Sequence, residues 1–393
     1  MQVDTAEILE ISKHFGKLDD PRSHINQKHL LGDLIVICIC GVLSGCDGPI
    51  AIGDWAQAKR TWLTQHLELP HGVPSHDTIG RLLMALQPAA FQACFIEWVE
   101  ALMVSKEQAL REETEAGTLV LRRHIAIDGK TLRRSHDRRK GLGPLHLVSA
   151  WAVDCGISLG QLATEEKSNE ITAIPQLLEQ VDLKNSIVTI DAAGCQKEIA
   201  AKIVAGRGDY CLALKGNQGK LHAAVSAWIE AKLLDEFADC QVETLEHQEK
   251  KHGREDHYVY HQFDVPDDLP GREQWKNLRT IGIAIRFSKC GDQETDDVRF
   301  YINSLPRNVA LFAKSVRGHW GIENSLHWCL DVTFREDDSR IRERRLTNNI
   351  AWLKRFAISL LKQVPDKLSV AMRRRCCGWN EEYLTQVLFG AKS

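Results

Sequence analysis

Several features that would settle a class early are missing from this 393-residue sequence. Its twelve cysteines contain no C-x-x-C pair, so the usual spacing of a structural zinc site is absent, and free thiols of this kind behave as small core hydrophobes. There is no H-E-x-x-H either: His319 and His327 lie eight apart, the wrong interval for a zinc hydrolase helix. The most apolar run, Leu34 to Leu43, falls far short of the ~20 residues of a membrane helix and reads as a buried core helix. No internal repeat and no low-complexity tract is visible. The opening M-Q-V-D-T-A-E-I-L-E lacks the basic and apolar regions of a secretory signal, so a cytoplasmic location without membrane contact is expected. An excess of positive charge is also lacking, the formal net charge being -3, which excludes a uniformly basic nucleic-acid coat.

What the totals hide is distribution. Between Val120 and Leu145 there are eight Lys or Arg against Asp128 and Asp137, whereas Asp235 to Leu305 carries sixteen acidic residues against nine basic. The first segment is a candidate phosphate-binding surface and the second a solvated module.

Residues 1–115 have helical periodicity, with Pro88 dividing a pattern that runs from Thr78 to Met103 into two helices. Ser75 or Asp77 supplies a cap. The segment fits a helix-turn-helix reader of DNA and fits equally a helical domain with no groove-reading role. From His124 the pattern turns to strands: H-I-A-I-D, Leu145 to Val153 and Ile157 to Thr164. A helix over Ile171 to Val181, the strand S-I-V-T-I-D, a helix over Gln196 to Val204, the strand Y-C-L-A-L-K and a helix over Gly219 to Leu234 follow. The order β-β-β-α-β-α-β-α predicts an α/β fold with a mixed, ribonuclease H-like sheet. Four further strands between 239 and 305 read as an inserted β-rich module, and residues 306–393 as helical. The expected divisions are therefore 1–115, 116–238, 239–305 and 306–393.

Asp128, in I-A-I-D-G-K, and Asp191, in I-V-T-I-D-A-A-G, each end a predicted strand. Either alone reads as a turn residue. Together they sit at the carboxyl ends of neighbouring strands, where open α/β sheets build their sites. Glu323 lies in R-G-H-W-G-I-E-N-S-L-H-W-C-L-D and, at helical spacing, shares a largely apolar and aromatic face with His319, Trp320, Leu326, His327 and Leu330. A carboxylate buried there would need a partner. Three carboxylates suit a pair of Mg²⁺ or Mn²⁺ ions serving in-line phosphoryl displacement. Trp320 and Trp328 read as packing residues rather than stacking platforms.

These same stretches, with L-A-L-K-G-N-Q and K-H-G-R-E, resemble the DDE transposases of bacterial insertion sequences, in particular the H-repeat-associated group. The resemblance covers essentially the whole chain, including D-P-R at Asp20 to Arg22 and G-V-P-S-H-D-T-I at Gly72 to Ile79, which are similar to that group's helical associated domain. It implies catalytic, metal-holding roles for Asp128, Asp191 and Glu323, split by a β-rich insertion across the 132-residue gap between Asp191 and Glu323. It also implies double-stranded DNA as partner, both terminal inverted repeats and target, a homodimeric synaptic complex, and association with the nucleoid. Where broader families place Tyr, Arg and Lys around the Glu, this sequence has Val316, His319 and Leu330. Arg317 and His319 are candidate substitutes. Further DNA-binding candidates, chosen by charge beside predicted strand ends, are Lys130, Arg133, Arg134, Arg138, Arg139, Lys140, Lys215 and Asn217. The rivals are a metal-dependent nuclease that does not join strands and an inactive DNA-binding remnant.

Overall fold

A computed structural model describes residues 14–23, 25, 27–98, 122–164, 170–251 and 253–389. The parts of the sequence reading that fall on 1–13, 99–121 and 390–393, and on His252 of K-H-G-R-E, lie outside the described residues.

Apolar periodicity produces helices α1 (Leu31–Leu43), α2 (Pro49–Ala58), α3 (Arg60–His66) and α4 (His76–Ala85). Ser75 accepts a bond from the Thr78 amide at the start of α4, the capping its hydroxyl is suited to. Beyond a 95° bend comes α5 (Pro88–Trp98), with proline at the first helical position, where its missing N–H costs nothing. Among the described residues no single helix is long and apolar enough to cross a membrane.

Nine strands then form one sheet: β1 (Arg123–Leu132), β2 (Leu145–Ala152), β3 (Ile157–Thr164), β4 (Ser186–Ile190), β5 (Asp209–Leu214), β6 (Val242–Lys251), β7 (Arg254–Asp264), β8 (Thr280–Cys290) and β9 (Gln293–Asn303). Their order across the sheet is β3-β2-β1-β4-β5-β9-β8-β7-β6. Helices α6 (Glu170–Leu178), α7 (Lys197–Ala205) and α8 (Gly219–Leu234) connect or follow the parallel strands. The four strands read as an insertion do not build a separate sheet. They extend the same one, because β9 pairs antiparallel with β5 from Cys211 opposite Asn303 to Leu214 opposite Phe300.

After the sheet come α9 (Val309–Gly321), α10 (Arg344–Gln363), α11 (Val370–Trp379) and α12 (Glu381–Phe389). Helix α10 is buried over most of its length and packs against β3, α1 and α4, so one core runs from Phe95 and Trp98 through Phe356 to the sheet. All twelve cysteines are free, eight of them buried.

Candidate active site

Strands β1 and β4 run parallel and in step, Ile125 beside Val188 and, as the last pair, Ile127 beside Ile190. The next residues are Asp128 and Asp191, so the register sets the two carboxylate-bearing positions side by side. Strand β4 stops there because Asp191 turns the chain: its Oδ1 accepts the amides of Ala193 and Gly194 at 3.1 and 3.3 Å. Strand β1 does not stop, which corrects the expectation of a strand end at Asp128. It continues to Leu132, paired with β2, with Asp128 opposite Ser149. Gly129 is required here because buried His146 and Glu170, themselves in contact, occupy the space a Cβ would fill.

Glu323 enters from α9. Asn308 caps that helix by accepting the Leu311 amide at 2.9 Å. The helix rests on the sheet through Gly318, whose missing side chain leaves room for the His124 ring. One hydroxyl then ties three elements together: Thr189 of β4 bonds His124 Nε2 at 2.9 Å and His319 Nδ1 at 3.1 Å. Burial holds both imidazoles neutral, pulling each pKa down to about 4. Past Gly321 the helix widens into π turns over Ile322–His327 and Cys329–Thr333, a departure from regular geometry that recurs at functional sites.

The widening changes which side chains are covered. Glu323 is exposed, so the desolvation reasoning applied to it fails. Trp328 is 56% exposed and Val332 57%, so Trp328 does not pack the helix as expected. Trp320 does pack, lying against the guanidinium groups of Arg299 and Arg286, 4.5 and 5.6 Å from its ring centre.

Asp128 is the carboxylate that is desolvated. Burial, followed by the negative charges of Asp191, Glu323 and Glu170, pushes its pKa up to about 7, against the bond it accepts from the Gly129 amide. His327 Nδ1 stands 3.4 Å from its Oδ2. Burial and the nearby Arg355 and Lys130 bring the His327 pKa down to about 3, so near neutral pH this contact joins a neutral ring to a partly protonated acid rather than an ion pair. The three acids are electrostatic neighbours. Among the described residues, however, no group of three or more His, Cys, Asp or Glu side chains is drawn together closely enough to hold a metal ion.

The basic candidates divide. Lys130 is 8% exposed in its side chain and bonded to Asp331 at 2.6 Å and Asp337 at 3.2 Å. Arg133 and Arg134 reach Asp337 and Asp338 at 3.1 and 3.6 Å. Arg138, Arg139 and Lys140 form an exposed turn capped by Asp137. Lys215 is exposed, and Asn217 bonds the Ala192 carbonyl at 2.6 Å, next to Asp191. Arg317 faces away toward β6 and β7, pairing with Glu249 at 3.1 Å over the Tyr258 ring. Sequence reading missed Thr189, His124, His146, Glu170 and the acidic partners Asp331 and Asp337. The alternation of β4 puts Thr189 two residues before Asp191, a usable signal; Glu170 offers none, since only the fold carries it beneath Gly129.

Comparison with known proteins identifies the family. A family model described as Transposase DDE domain matches residues 120–361, and one described as DDE_Tnp_1-associated matches residues 12–99. The chain is 37% identical over 393 residues to "H repeat-associated putative transposase YhhI" of Escherichia coli (strain K12), covering 98% of this chain and 99% of that one. It is 37% identical to "Putative transposase YncI" of Escherichia coli O157:H7, over 97% of this chain and 95% of the other. With "Putative protein YbfL" of strain K12 the identity is 36% over 98% and 99% of the two chains. A match across the domain that holds Asp128, Asp191 and Glu323, with relatives similar from end to end, means that this chain belongs to the DDE transposase family.

Proposed function

We propose that the protein binds the terminal inverted repeats of its own insertion sequence, cleaves the ends by hydrolysis and joins the freed 3′-hydroxyls to target DNA. The observation that carries this reading is the cluster around Asp128, whose carboxyl is raised to about 7 by burial and by the charges of Asp191 and Glu323. Family membership supports it, as does the strand order β3-β2-β1-β4-β5, which fits a ribonuclease H-like catalytic core.

The donor set suits a hard divalent cation: carboxylate oxygens with a surplus of negative charge. Asp128, Asp191 and Glu323 would hold Mg²⁺ or Mn²⁺, and a bound pair supplies charge stabilisation to the attacking and departing oxygens of an in-line phosphoryl displacement. The protein's own residues do the positioning. The amides of Ala193 and Gly194 hold the Asp191 carboxylate. Thr189, between His124 and His319, sets the Glu323 helix against the strand that ends at Asp191. His327 stands over Asp128 and limits how that carboxyl turns. Cations of the β1–β2 hairpin, together with Lys215 and Asn217, contact DNA phosphates and contribute affinity without sequence information.

In this reading residues 1–115 form the associated helical unit, 116–238 and 306–393 the two parts of the catalytic domain, and 239–305 the insertion between them. Two DNA ends require a homodimeric synaptic complex, acting on the nucleoid in the cytoplasm. The test is incubation of the purified protein with DNA flanking its gene and Mn²⁺, mapping the nicks and the joined products. Nicks at the element ends with strand-transfer products are expected. Cleavage without joining would establish the nuclease reading, and no nicking with bound DNA the inactive remnant. Cleavage that survives Asp128→Ala would remove that residue from the mechanism.

A further inference from the structure

The acidic turn after the Glu323 helix leads into S-R-I-R-E-R-R, residues 339–345, which the fold seats against the β1–β2 hairpin. Arg344 makes the joint, donating to the carbonyls of Gly143 at 2.6 Å and Ser135 at 3.4 Å on the hairpin loop. Two basic segments some two hundred residues apart in sequence thereby become one surface. Arg138, Arg139 and Lys140 lie on the hairpin side and Arg340, Arg342 and Arg345 on the other, all exposed.

Local electrostatics do not explain those arginines. They surround the N-terminus of α10, whose first turn holds no acidic residue, and cations are disfavoured at the positive end of a helix dipole. The one acid in the segment, Glu343, is committed to capping, accepting the amides of Leu346 at 2.6 Å and Arg345 at 3.2 Å. A sequence that departs from a local preference without a structural gain points to a ligand.

Resting on the DNA-processing reading above, we infer that residues 340–345 and the β1–β2 hairpin together form a cationic surface that takes the phosphate backbone of double-stranded DNA beside the cleavage site. Guanidinium groups match phosphate oxygens in pairs. The exposed pairs of Asp338 with Arg134 and Arg335, at 3.6 and 3.1 Å, are weak counter-charges of the kind that a phosphate displaces readily.

The experiment measures binding of the full-length protein to a fluorescent 30-base-pair duplex by anisotropy, across a salt series. The triple variant Arg340→Ala, Arg342→Ala, Arg345→Ala should bind at least ten-fold more weakly at low salt. Its slope of log affinity against log salt should be shallower by about 2 to 3, roughly 0.9 for each phosphate that is no longer neutralised. A control triple removing Lys276, Arg279 and Lys289, exposed on the β6–β9 extension, should leave the slope near that of the wild type. Asp338→Asn should tighten binding. An unchanged slope in the arginine triple, or an equal loss in the control, overturns the surface while leaving the proposed function standing. Wild-type protein that fails to bind duplex DNA overturns both.

Discussion

Asp128 is held at a cost that a cation would remove, and the sign of its effect on stability follows. Its pKa in the folded protein, about 7, stands above the ordinary 3.8. The stabilisation from keeping this group protonated is thus complete below pH ~4 and is lost as pH rises through 7. At about 1.4 kcal/mol per pKa unit the loss is on the order of 4–5 kcal/mol. At pH 8 Asp128→Asn should therefore raise Tm by several degrees in the absence of divalent ions, and abolish DNA cleavage in their presence. A lowered Tm in calorimetry would show that the carboxylate is stabilised in the fold. The histidines at Thr189 give the opposite slope. Folded His124 and His319, with pKa values brought down to about 4 from 6.5, contribute stability that is full above pH 6.5 and lost as pH falls toward 4. His319→Asn should flatten the fall of Tm between pH 6.5 and 4.5, and a fall as steep as the wild type's would exclude His319 from it. The side-by-side placement of Asp128 and Asp191 was legible because each follows a short β-branched run, whereas Glu323 was singled out by a burial argument that its exposure removes. Thr189 and Glu170 were not, since a hydroxyl between two imidazoles and a carboxylate under a glycine are contacts between distant segments.

At the scale of elements, sequence reading placed β2, β3 and α8 nearly to the residue, whereas β1 runs four residues past the expected end at Asp128. It fell short on the hairpins of the extension. Strands β8 and β9 reach Cys290 and Gln293 across a two-residue turn, and their outer halves are polar and exposed, so no alternation announces them. It also assigned α-helical spacing through Glu323, where the chain adopts π turns; a period slightly wider than 3.6 cannot be read from a dozen residues. The helix-to-sheet joint before those turns supports a specific expectation. In Gly318→Ala the new methyl meets the His124 ring, buried between β1 and α9, and the helix must lift. Overpacking of this kind costs about 1–3 kcal/mol, and displacing Glu323 should reduce cleavage by more than ten-fold. Gly321→Ala, whose Cβ would lie 3.1 Å from a Val153 methyl, should keep most activity. If Gly318→Ala matched the wild type in both Tm and cleavage rate, the joint would not position the site.

For the molecule as a whole, the helical N-terminal part and the sheet domain are bound through buried polar contacts as well as shared apolar core. Arg374 of α11 donates to the carbonyls of Val42 and Cys46 at the end of α1, to the Asp47 carboxylate, and to the carbonyl of Thr333 at the end of the π turns. Its guanidinium also lies 4.1 Å from the centre of the Phe334 ring. Asn349 of α10 similarly bonds the carbonyls of Leu83 and Leu86 at 2.7 and 3.1 Å. Apart from Asp47 these partners are main-chain carbonyls, and the bonds to Val42 and Cys46 are buried, so removing the cation leaves acceptors unpaired, at about 1–3 kcal/mol each. Arg374→Ala should destabilise the protein by more than about 3 kcal/mol. Because the arginine spans α1 and the tail of the Glu323 helix, that loss should appear at once in both parts: amides of α1 and of β1 should lose hydrogen-exchange protection together, in one cooperative transition. Early exchange in α1 with β1 still protected would mean that the N-terminal helices are an independent unit, and that the order of the catalytic face does not depend on them.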